Sequence, residues 1–157
     1  MKGQIALTVF LCLSGPVLAE TCDPGRADLR WSGGSAQFTV EIADDADERA
    51  RGLMFRDRMA AGQGMLFVYP EPKTAAFWMK NTRIPLDMLF IGADGRVQKV
   101  HDRAVPFDET AIPGGDAVQF VLEINGGLAK RLGLTVGAEL RHPAVDSARA
   151  AWPCDAP

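Results

Sequence analysis

The sequence lacks several features that would suggest a nucleic-acid or nucleotide-binding protein. It has no run of Lys or Arg residues, and its 17 basic and 20 acidic residues give a formal net charge of −3. It also has no glycine-rich phosphate loop and no internal repeat. A clustered basic surface is the electrostatic signature of nucleic-acid binding. We therefore expect no nucleic-acid partner.

Residues that commonly act in catalysis are also few. The chain has three cysteines and two histidines, and His101 and His142 lie on different predicted strands. No serine stands in the context of a nucleophile elbow. An enzyme needs a nucleophile or an acid–base pair with oriented partners. The sequence therefore favours a protein without catalytic residues, and it predicts no cofactor and no metal.

The chain has one long apolar run, and it lies at the N-terminus. Lys2 precedes "IALTVFLCLSGPVLA" (residues 5–19), in which Val17 and Ala19 occupy the minus-three and minus-one positions of a cleavage site. This pattern is typical of a secretory signal peptide. A transmembrane helix needs about 20 apolar residues, and no second run follows. We predict that residues 1–19 are a signal peptide and that the mature protein is periplasmic or extracellular, without a membrane anchor.

Removal of the signal peptide would leave two of the three cysteines. Cys12 lies within the apolar run, whereas Cys22 and Cys154 lie near opposite ends of the mature chain. In an oxidising compartment such a pair normally forms a disulfide. The alternatives are two free thiols or a metal site, for which the usual paired cysteine spacing is missing. We predict a Cys22–Cys154 disulfide that holds the C-terminal tail, residues 143–157.

The spacing of apolar residues predicts a mainly β protein. "QFTVEIA" (37–43) and "AVQFVLEI" (117–124) alternate apolar and polar residues, whereas "MLFVY" (65–69) is apolar on both faces and should be central. Asp94-Gly95 lies between two strand-like runs and predicts a hairpin. The remaining predicted strands are 75–80, 87–93, 97–102 and 138–142. This many short strands favours a sandwich or barrel.

Two segments have helical character. In residues 44–56, Asp45 is followed three residues later by Glu48, which is the pattern of a capping box. Residues 125–134 predict a second short helix, with Asn125 as its N-cap.

These elements together predict a single β-rich domain over residues 37–142. Residues 20–36 are rich in glycine, serine and charge and predict an extended lead-in. We expect the domain to be a monomer.

Four motifs occur in an order that resembles one known family. They are "ERARGLMFR" (48–56), "GMLFVYP" (64–70), "FWMKNTRIPLD" (77–87) and "FVLEINGG" (120–127). Their order over about residues 37–142 is similar to the domain-of-unknown-function 192 family. The resemblance implies a compact, jelly-roll-like β fold, often exported in bacteria. It implies no reaction, so no catalytic residue is carried over.

The stretch "FWMKNTRIPLD" places a cluster of polar side chains between two apolar strands. Pro85 and the Asn-Thr pair fit a turn whose side chains bond neighbouring backbone amides. Lys80 instead needs water, a carboxylate or a ligand. We hypothesise one partly exposed polar site that binds a ligand. Its candidate residues are Arg51, Trp78, Lys80, Asn81, Asp87 and Glu123.

Three functions remain open at this point. The favoured one is a non-catalytic binding or accessory domain for a polar, sugar-like or peptide ligand or a protein partner, with Trp31, Tyr69 and Trp78 as aromatic contacts. The first alternative is a hydrolase that uses Asp87 and Glu123 as a carboxylate pair. The second is a periplasmic Cu(I) site, since thioethers suit Cu(I). Its candidate residues are Met54, Met65, Met79, Met88 and His101, although methionine also fills gaps in apolar cores.

Overall fold

Seven strands and two short helices make up residues 22–155, the part of the chain that this computed structural model describes. The strands form one curled sheet, a half-barrel, so the predicted mainly β class is confirmed. The predicted signal peptide, residues 1–19, lies outside the described residues. No helix within the described range is long and apolar enough to cross a membrane.

The elements follow the chain in a simple order. They are β1 (Arg26–Trp31), β2 (Gly34–Ala43), α1 (Ala46–Arg51), β3 (Gln63–Phe77), β4 (Leu86–Gly92), β5 (Val97–Ala104), β6 (Ile112–Asn125), α2 (Leu128–Leu132) and β7 (Glu139–Arg141). The sheet order is β5-β4-β6-β3-β2-β1-β7. The pair β2 and β3 is parallel, with α1 in the crossover, and every other neighbouring pair is antiparallel.

The central strand β3 is longer than the sequence predicts. The segments 65–69 and 75–80 were predicted as separate strands, but β3 runs through both as far as Phe77. Its pairing with β6 is irregular between Val68 and Lys73, where the register shifts. Such a bulge interrupts the alternation of side chains while the chain stays extended. Residues 78–80 leave the sheet.

The strand β1 lies inside the segment predicted as an extended lead-in, residues 20–36. Ala27 and Leu29 are buried, but they alternate with charged residues. The carboxylate of Asp28 is buried in an ion pair with Arg141 on β7, at 3.1 Å. This pairing depends on a strand 113 residues away, so local composition does not predict it.

The sheet buries apolar side chains on both faces. The first cluster includes Leu29, Phe38 and Leu122 and is covered by α2. The second cluster includes Phe67 and Val121 and lies on the opposite face. Because both faces are covered, β4 is buried at every position and β6 is buried continuously over residues 120–124.

The helix α1 begins as predicted. The side chain of Asp45 accepts a hydrogen bond from the Glu48 backbone N–H at 2.8 Å, and the Glu48 side chain accepts one from the Asp45 N–H at 3.5 Å. Both halves of the capping box are therefore present. Gly52 ends the helix at φ 48°, and a Cβ atom there would lie 3.1 Å from the ring of Phe67. A side chain at this position would be strained and crowded.

The predicted start of α2 is wrong. The helix begins at Leu128, its N-cap is Gly127 in the left-handed region at φ 78°, and no side chain caps it locally. Asn125 still belongs to β6, and its amide donates to the backbone carbonyls of Met59 and Ala60. Asn125 is therefore used to fix a neighbouring loop.

The predicted disulfide is present. Cys22 and Cys154 are bonded, with their Cα atoms 5.4 Å apart and a sequence separation of 132 residues. The tail has a second attachment, because the ring of Trp152 lies 4.5 Å from the guanidinium carbons of both Arg30 and Arg141. Each of these cation–π contacts contributes about 0.5–1 kcal/mol at an exposed site.

Breaking the disulfide should lower the free energy of unfolding by about 2–5 kcal/mol, because the bond closes a loop of more than 100 residues. The Cys22→Ser/Cys154→Ser variant tests this by urea denaturation, with reduced wild type as the matched control. Protein exported from a Gram-negative host should also have the mass of residues 20–157 less two hydrogens. Two alkylatable thiols in unreduced wild type would contradict the prediction.

Candidate functional site

A pocket of about 190 Å³ opens between the end of α1 and the β3 side of the second apolar cluster. It is lined by Arg49, Ala50, Arg51, Gly52, Leu53, Met54, Phe67, Tyr69, Ala76, Phe77, Trp78, Thr82 and Glu123. Its lining combines apolar and aromatic side chains with the polar groups of Arg49, Arg51, Tyr69, Thr82 and Glu123. The volume is far more than the roughly 15 Å³ that one buried water needs.

Glu123 forms the floor of the pocket. Glu123 is 4 % exposed, and it lies in β6 directly opposite Met65 of β3 and Met88 of β4. Opposed residues on paired strands share one face, so the side chain points towards the second apolar cluster. No other residue of 22–155 makes a hydrogen bond or an ion pair with it.

Burial controls the charge of Glu123. Removal from water raises the pKa of its carboxyl from 4.5 to about 8. At neutral pH the group is therefore mostly protonated and can act as a hydrogen-bond donor as well as an acceptor. Tyr69 lies nearby, and burial raises the pKa of its phenol too, with a smaller rise from the charge of Glu123 and an opposing effect of Arg49.

Two arginines from the last turn of α1 line the pocket, and they differ in their contacts. Arg49 donates to the backbone carbonyls of Val68, at 3.0 Å, and of Asp44, and its guanidinium carbon lies 5.2 Å from the centroid of the Tyr69 ring. Arg51 is exposed and has no partner within the described part of the chain. Arg49 is therefore a fixed part of the wall, whereas Arg51 offers an unused guanidinium.

Aromatic residues complete the mouth. Trp78 is 47 % exposed, and the ammonium of Lys80 lies 5.0 Å from the centroid of its ring. Phe77 packs edge-on against Phe67 and Phe90, with centroids 5.0 and 5.8 Å away. Lys80 makes no ion pair with any residue that the structure describes, so the π face of Trp78 takes the place of the carboxylate expected from the sequence.

The stretch between β3 and β4 is a turn whose backbone carbonyls accept hydrogen bonds from neighbouring segments. Asn81 has φ 53°, and its carbonyl accepts from the N–H of Phe55 at 2.8 Å. The Thr82 carbonyl accepts from the N–H of Phe107 at 3.2 Å. The expected side-chain bonds to backbone amides are absent here: the Asn81 amide faces the sulfur of Met54 at 3.9 Å, and the Thr82 hydroxyl donates to the Lys80 carbonyl.

Asp87 lies on the other face of the sheet from Glu123. It is opposite Ile124 in the β4–β6 register, and Ile124 belongs to the first apolar cluster. Its carboxylate accepts from the backbone N–H groups of Arg103, Gly127 and Ala129, at 2.8, 2.7 and 2.8 Å.

Two of the sequence motifs, "FWMKNTRIPLD" and "FVLEINGG", therefore contact each other in the structure. The aspartate of "IPLD" accepts from the amides of Gly127, the last residue of "NGG", and of Ala129, and the Gly126 N–H donates to the Pro85 carbonyl at 2.8 Å. A Cβ atom on Gly126 would lie 2.9 Å from the Pro85 Cβ. Asp87 is fully used in the fold, and the proposed Asp87–Glu123 catalytic pair does not exist.

The structure brings only part of the predicted site together. Arg51, Trp78 and Glu123 line the pocket, and Lys80 lies beside it over the Trp78 ring. Asn81 contacts Met54, a lining residue, and Asp87 lies across the sheet. Of the other aromatic candidates, Tyr69 lines the pocket, whereas Trp31 packs against the first apolar cluster.

The methionines that suggested copper pack in or beside the second apolar cluster. Met65, Met79 and Met88 are buried members of it, and Met54 lines the pocket. His101 lies on β5 opposite Met88. Their apolar surroundings fit gap filling in a core. Within residues 22–155 no group of three or more His, Cys, Asp or Glu side chains could hold a metal ion.

Comparison with known proteins identifies the family. The model of DUF192, described as an uncharacterised ACR, matches residues 29–142. The chain belongs to the DUF192 family. A protein of unknown function from Novosphingobium aromaticivorans DSM 12444 is 43 % identical with a TM-score of 0.72, covering 73 % of this chain and 82 % of that one.

A second solved structure is similar to this DUF192 protein. It is described as a "putative transcription regulator" from Sinorhizobium meliloti 1021 and is 42 % identical, with a TM-score of 0.72. The match covers 80 % of this chain and 96 % of that one. No curated protein matches the sequence.

Sequence reasoning missed Arg49, Phe77 and Thr82 as lining residues of the DUF192 pocket. Arg49 lies four residues after Asp45, and this spacing usually indicates an ion pair on a helix surface. The sequence feature that does point to the pocket is Glu123, an ionisable residue among four buried apolar neighbours in β6.

Glu123 should make the stability of the protein fall as pH rises from about 4.5 to about 8. The unfolded chain loses this proton near pH 4.5, whereas the folded protein keeps it up to about pH 8. The stability of Glu123→Gln relative to wild type should therefore increase by about 2–5 kcal/mol between pH 5 and pH 8. Urea denaturation across this range measures the difference.

The exposed Glu71 provides the matched control for this prediction, because Glu71→Gln makes the same chemical change on the neighbouring strand β3. Its stability relative to wild type should stay constant over the same range. A constant difference for Glu123→Gln as well would mean that Glu123 titrates normally.

Replacing Asp87 should destabilise the fold without touching the pocket. In Asp87→Asn one carboxylate oxygen becomes an amide donor, so at least one buried backbone N–H loses its acceptor, which costs about 1–3 kcal/mol. Urea denaturation measures this loss, and the exposed Asp102→Asn is the control. An unchanged midpoint for Asp87→Asn would show that its three hydrogen bonds do not hold α2.

Proposed function

We propose that this DUF192 protein is an exported, non-catalytic binding domain that recognises a small polar ligand in the pocket above Glu123. Export is supported by the N-terminal signal pattern and by the disulfide between Cys22 and Cys154, because such bonds persist in oxidising compartments.

One observation carries the binding proposal: the Glu123 carboxyl is buried at the floor of an open pocket and has no partner among residues 22–155. The carboxyl oxygens are not fully enclosed, so a ligand in the pocket can reach them. Asp87 shows that this fold can satisfy a buried carboxylate completely. A ligand that bonds to Glu123 would give a partner to a buried carboxyl that has none among residues 22–155.

The pocket chemistry favours binding over catalysis. Among the lining groups, Glu123 has a pKa of about 8, whereas burial raises the pKa of the Tyr69 phenol above its usual value of 10. The second carboxylate that a hydrolase would require, Asp87, lies on the opposite face of the sheet. A single acid without an oriented base or nucleophile does not make an acid–base pair.

The description of the Sinorhizobium meliloti relative gives no second candidate function. A net charge of −3 and the lack of a Lys/Arg run do not favour binding to nucleic acid.

A thermal-shift screen with and without a blocked pocket tests the proposal. The panel holds monosaccharides, amines, carboxylates, amino acids and short peptides. Ala50 is exposed on α1 and lines the pocket, so Ala50→Trp should fill the mouth without disturbing the core. A compound present at 100 times its Kd should stabilise wild type by about 2.7 kcal/mol.

The exposed Ala148 lies in the C-terminal tail, so Ala148→Trp is the matched control and should respond like wild type. Ala50→Trp should lose the response. A panel in which nothing stabilises wild type, or in which Ala50→Trp responds equally, would reject this pocket as the binding site.

A further inference from the structure

The pocket carries two unused groups of opposite character at different depths. Glu123 lies at the floor, 4 % exposed, and Arg51 lies at the exposed mouth on the last turn of α1. Neither has a hydrogen-bond or ion-pair partner in the described part of the chain. The other lining cation, Arg49, is already bound to the carbonyls of Val68 and Asp44 and faces Tyr69.

We propose, as an extension of the proposed function, that the ligand is a small zwitterion whose ammonium reaches Glu123 and whose acidic group binds Arg51. The unpartnered carboxyl at the floor and the unpartnered guanidinium at the mouth carry this inference.

The walls favour an ammonium over a hydroxyl-rich ligand at the floor. Phe67, Phe77, Tyr69 and Trp78 line the same pocket as Glu123, and aromatic faces attract cations. The Thr82 hydroxyl already donates to the Lys80 carbonyl. A sugar would bring several hydroxyls to walls that have few free polar partners, and each unpaired one would cost binding energy.

Arg51 favours an acidic group at the other end of the ligand. An exposed guanidinium binds carboxylate in a fork of two charge-assisted hydrogen bonds. Because Arg51 is unpaired, a ligand does not have to displace an existing ion pair. Its position on a helix end also leaves the side chain free to adjust to ligands of different length.

Binding of an ammonium requires a defined proton balance. At neutral pH the neutral carboxyl of Glu123 must lose its proton to form an ion pair, so each bound ammonium releases close to one proton to solvent. The other charged or titratable groups that line the pocket are Arg49 and Arg51 from α1 and Tyr69 from β3. The arginines keep their charge, so the released proton comes from Glu123.

Isothermal titration calorimetry with an amino-acid series tests the proposal. Glycine, 4-aminobutyrate and 6-aminohexanoate vary the separation of ammonium and carboxylate, and butylamine and butyrate carry one charge each. At least one zwitterion should bind about tenfold more tightly than either single-charge compound. Titrations at pH 7 in two buffers of different ionisation enthalpy should show release of nearly one proton.

Two variants assign the two ends of the ligand. In Arg51→Gln the zwitterion and butylamine should bind with about equal affinity, because the zwitterion loses its contact with Arg51. The affinity for butylamine should stay unchanged. The exposed Arg58→Gln is its matched control and should behave like wild type. Glu123→Gln should abolish proton release and weaken every amine.

The outcomes separate this proposal from the proposed function. If a monosaccharide or another neutral compound binds, Ala50→Trp blocks it and no proton is released, then the zwitterion proposal is wrong and the binding pocket stands. Failure of all three amino acids to bind also overturns the zwitterion proposal. A tight zwitterion whose affinity Arg51→Gln does not change would contradict the assignment of its acidic end.

Discussion

Burial of β6 on both faces is the constraint on which the rest of this structure depends. Between Phe120 and Ile124 every residue of the strand is buried, and the neighbouring strands β3 and β4 continue both apolar clusters across the sheet. A polar side chain at any of these positions either finds partners or destabilises the fold. The fold can therefore accommodate only a few polar side chains on these buried strands.

The two carboxyl groups on adjacent strands show both outcomes of that constraint. Asp87 accepts from three backbone amides and so joins β4 to the end of β5 and to α2. Glu123 sits on the opposite face and receives none. The same residue class, one strand apart, is thus structural in one case and available to a ligand in the other. The register of β4 against β6 pairs Asp87 with Ile124 and Met88 with Glu123, and this places the two carboxyl groups on opposite faces of the sheet.

Local chemistry in the sequence predicts the features that short segments control. The capping box of Asp45 and Glu48, the Asp94-Gly95 hairpin and the central position of residues 65–69 are all found. The start of α2 was not predictable, because its amides are satisfied by a carboxylate 40 residues away, and not by Asn125. For the same reason the sequence grouped Asp87 with Glu123: sequence spacing gives the face of a residue within a strand, but not relative to another strand.

The parallel crossover from β2 to β3 explains why the pocket forms where it does. A parallel connection must carry the chain back across a face of the sheet, and α1 is the element that does so, ending at Gly52 against Phe67. A basic last turn is favourable at the C-terminal end of a helix, which accounts for Arg49 and Arg51 together. Arg49 is then used by the Val68 carbonyl and the Tyr69 ring, whereas helix stability alone does not require Arg51 to face an open cavity with Glu123 at its floor. The crossover thereby brings a cation and a carboxyl that have no partners among residues 22–155, and that are 72 residues apart in the chain, to the lining of one small pocket.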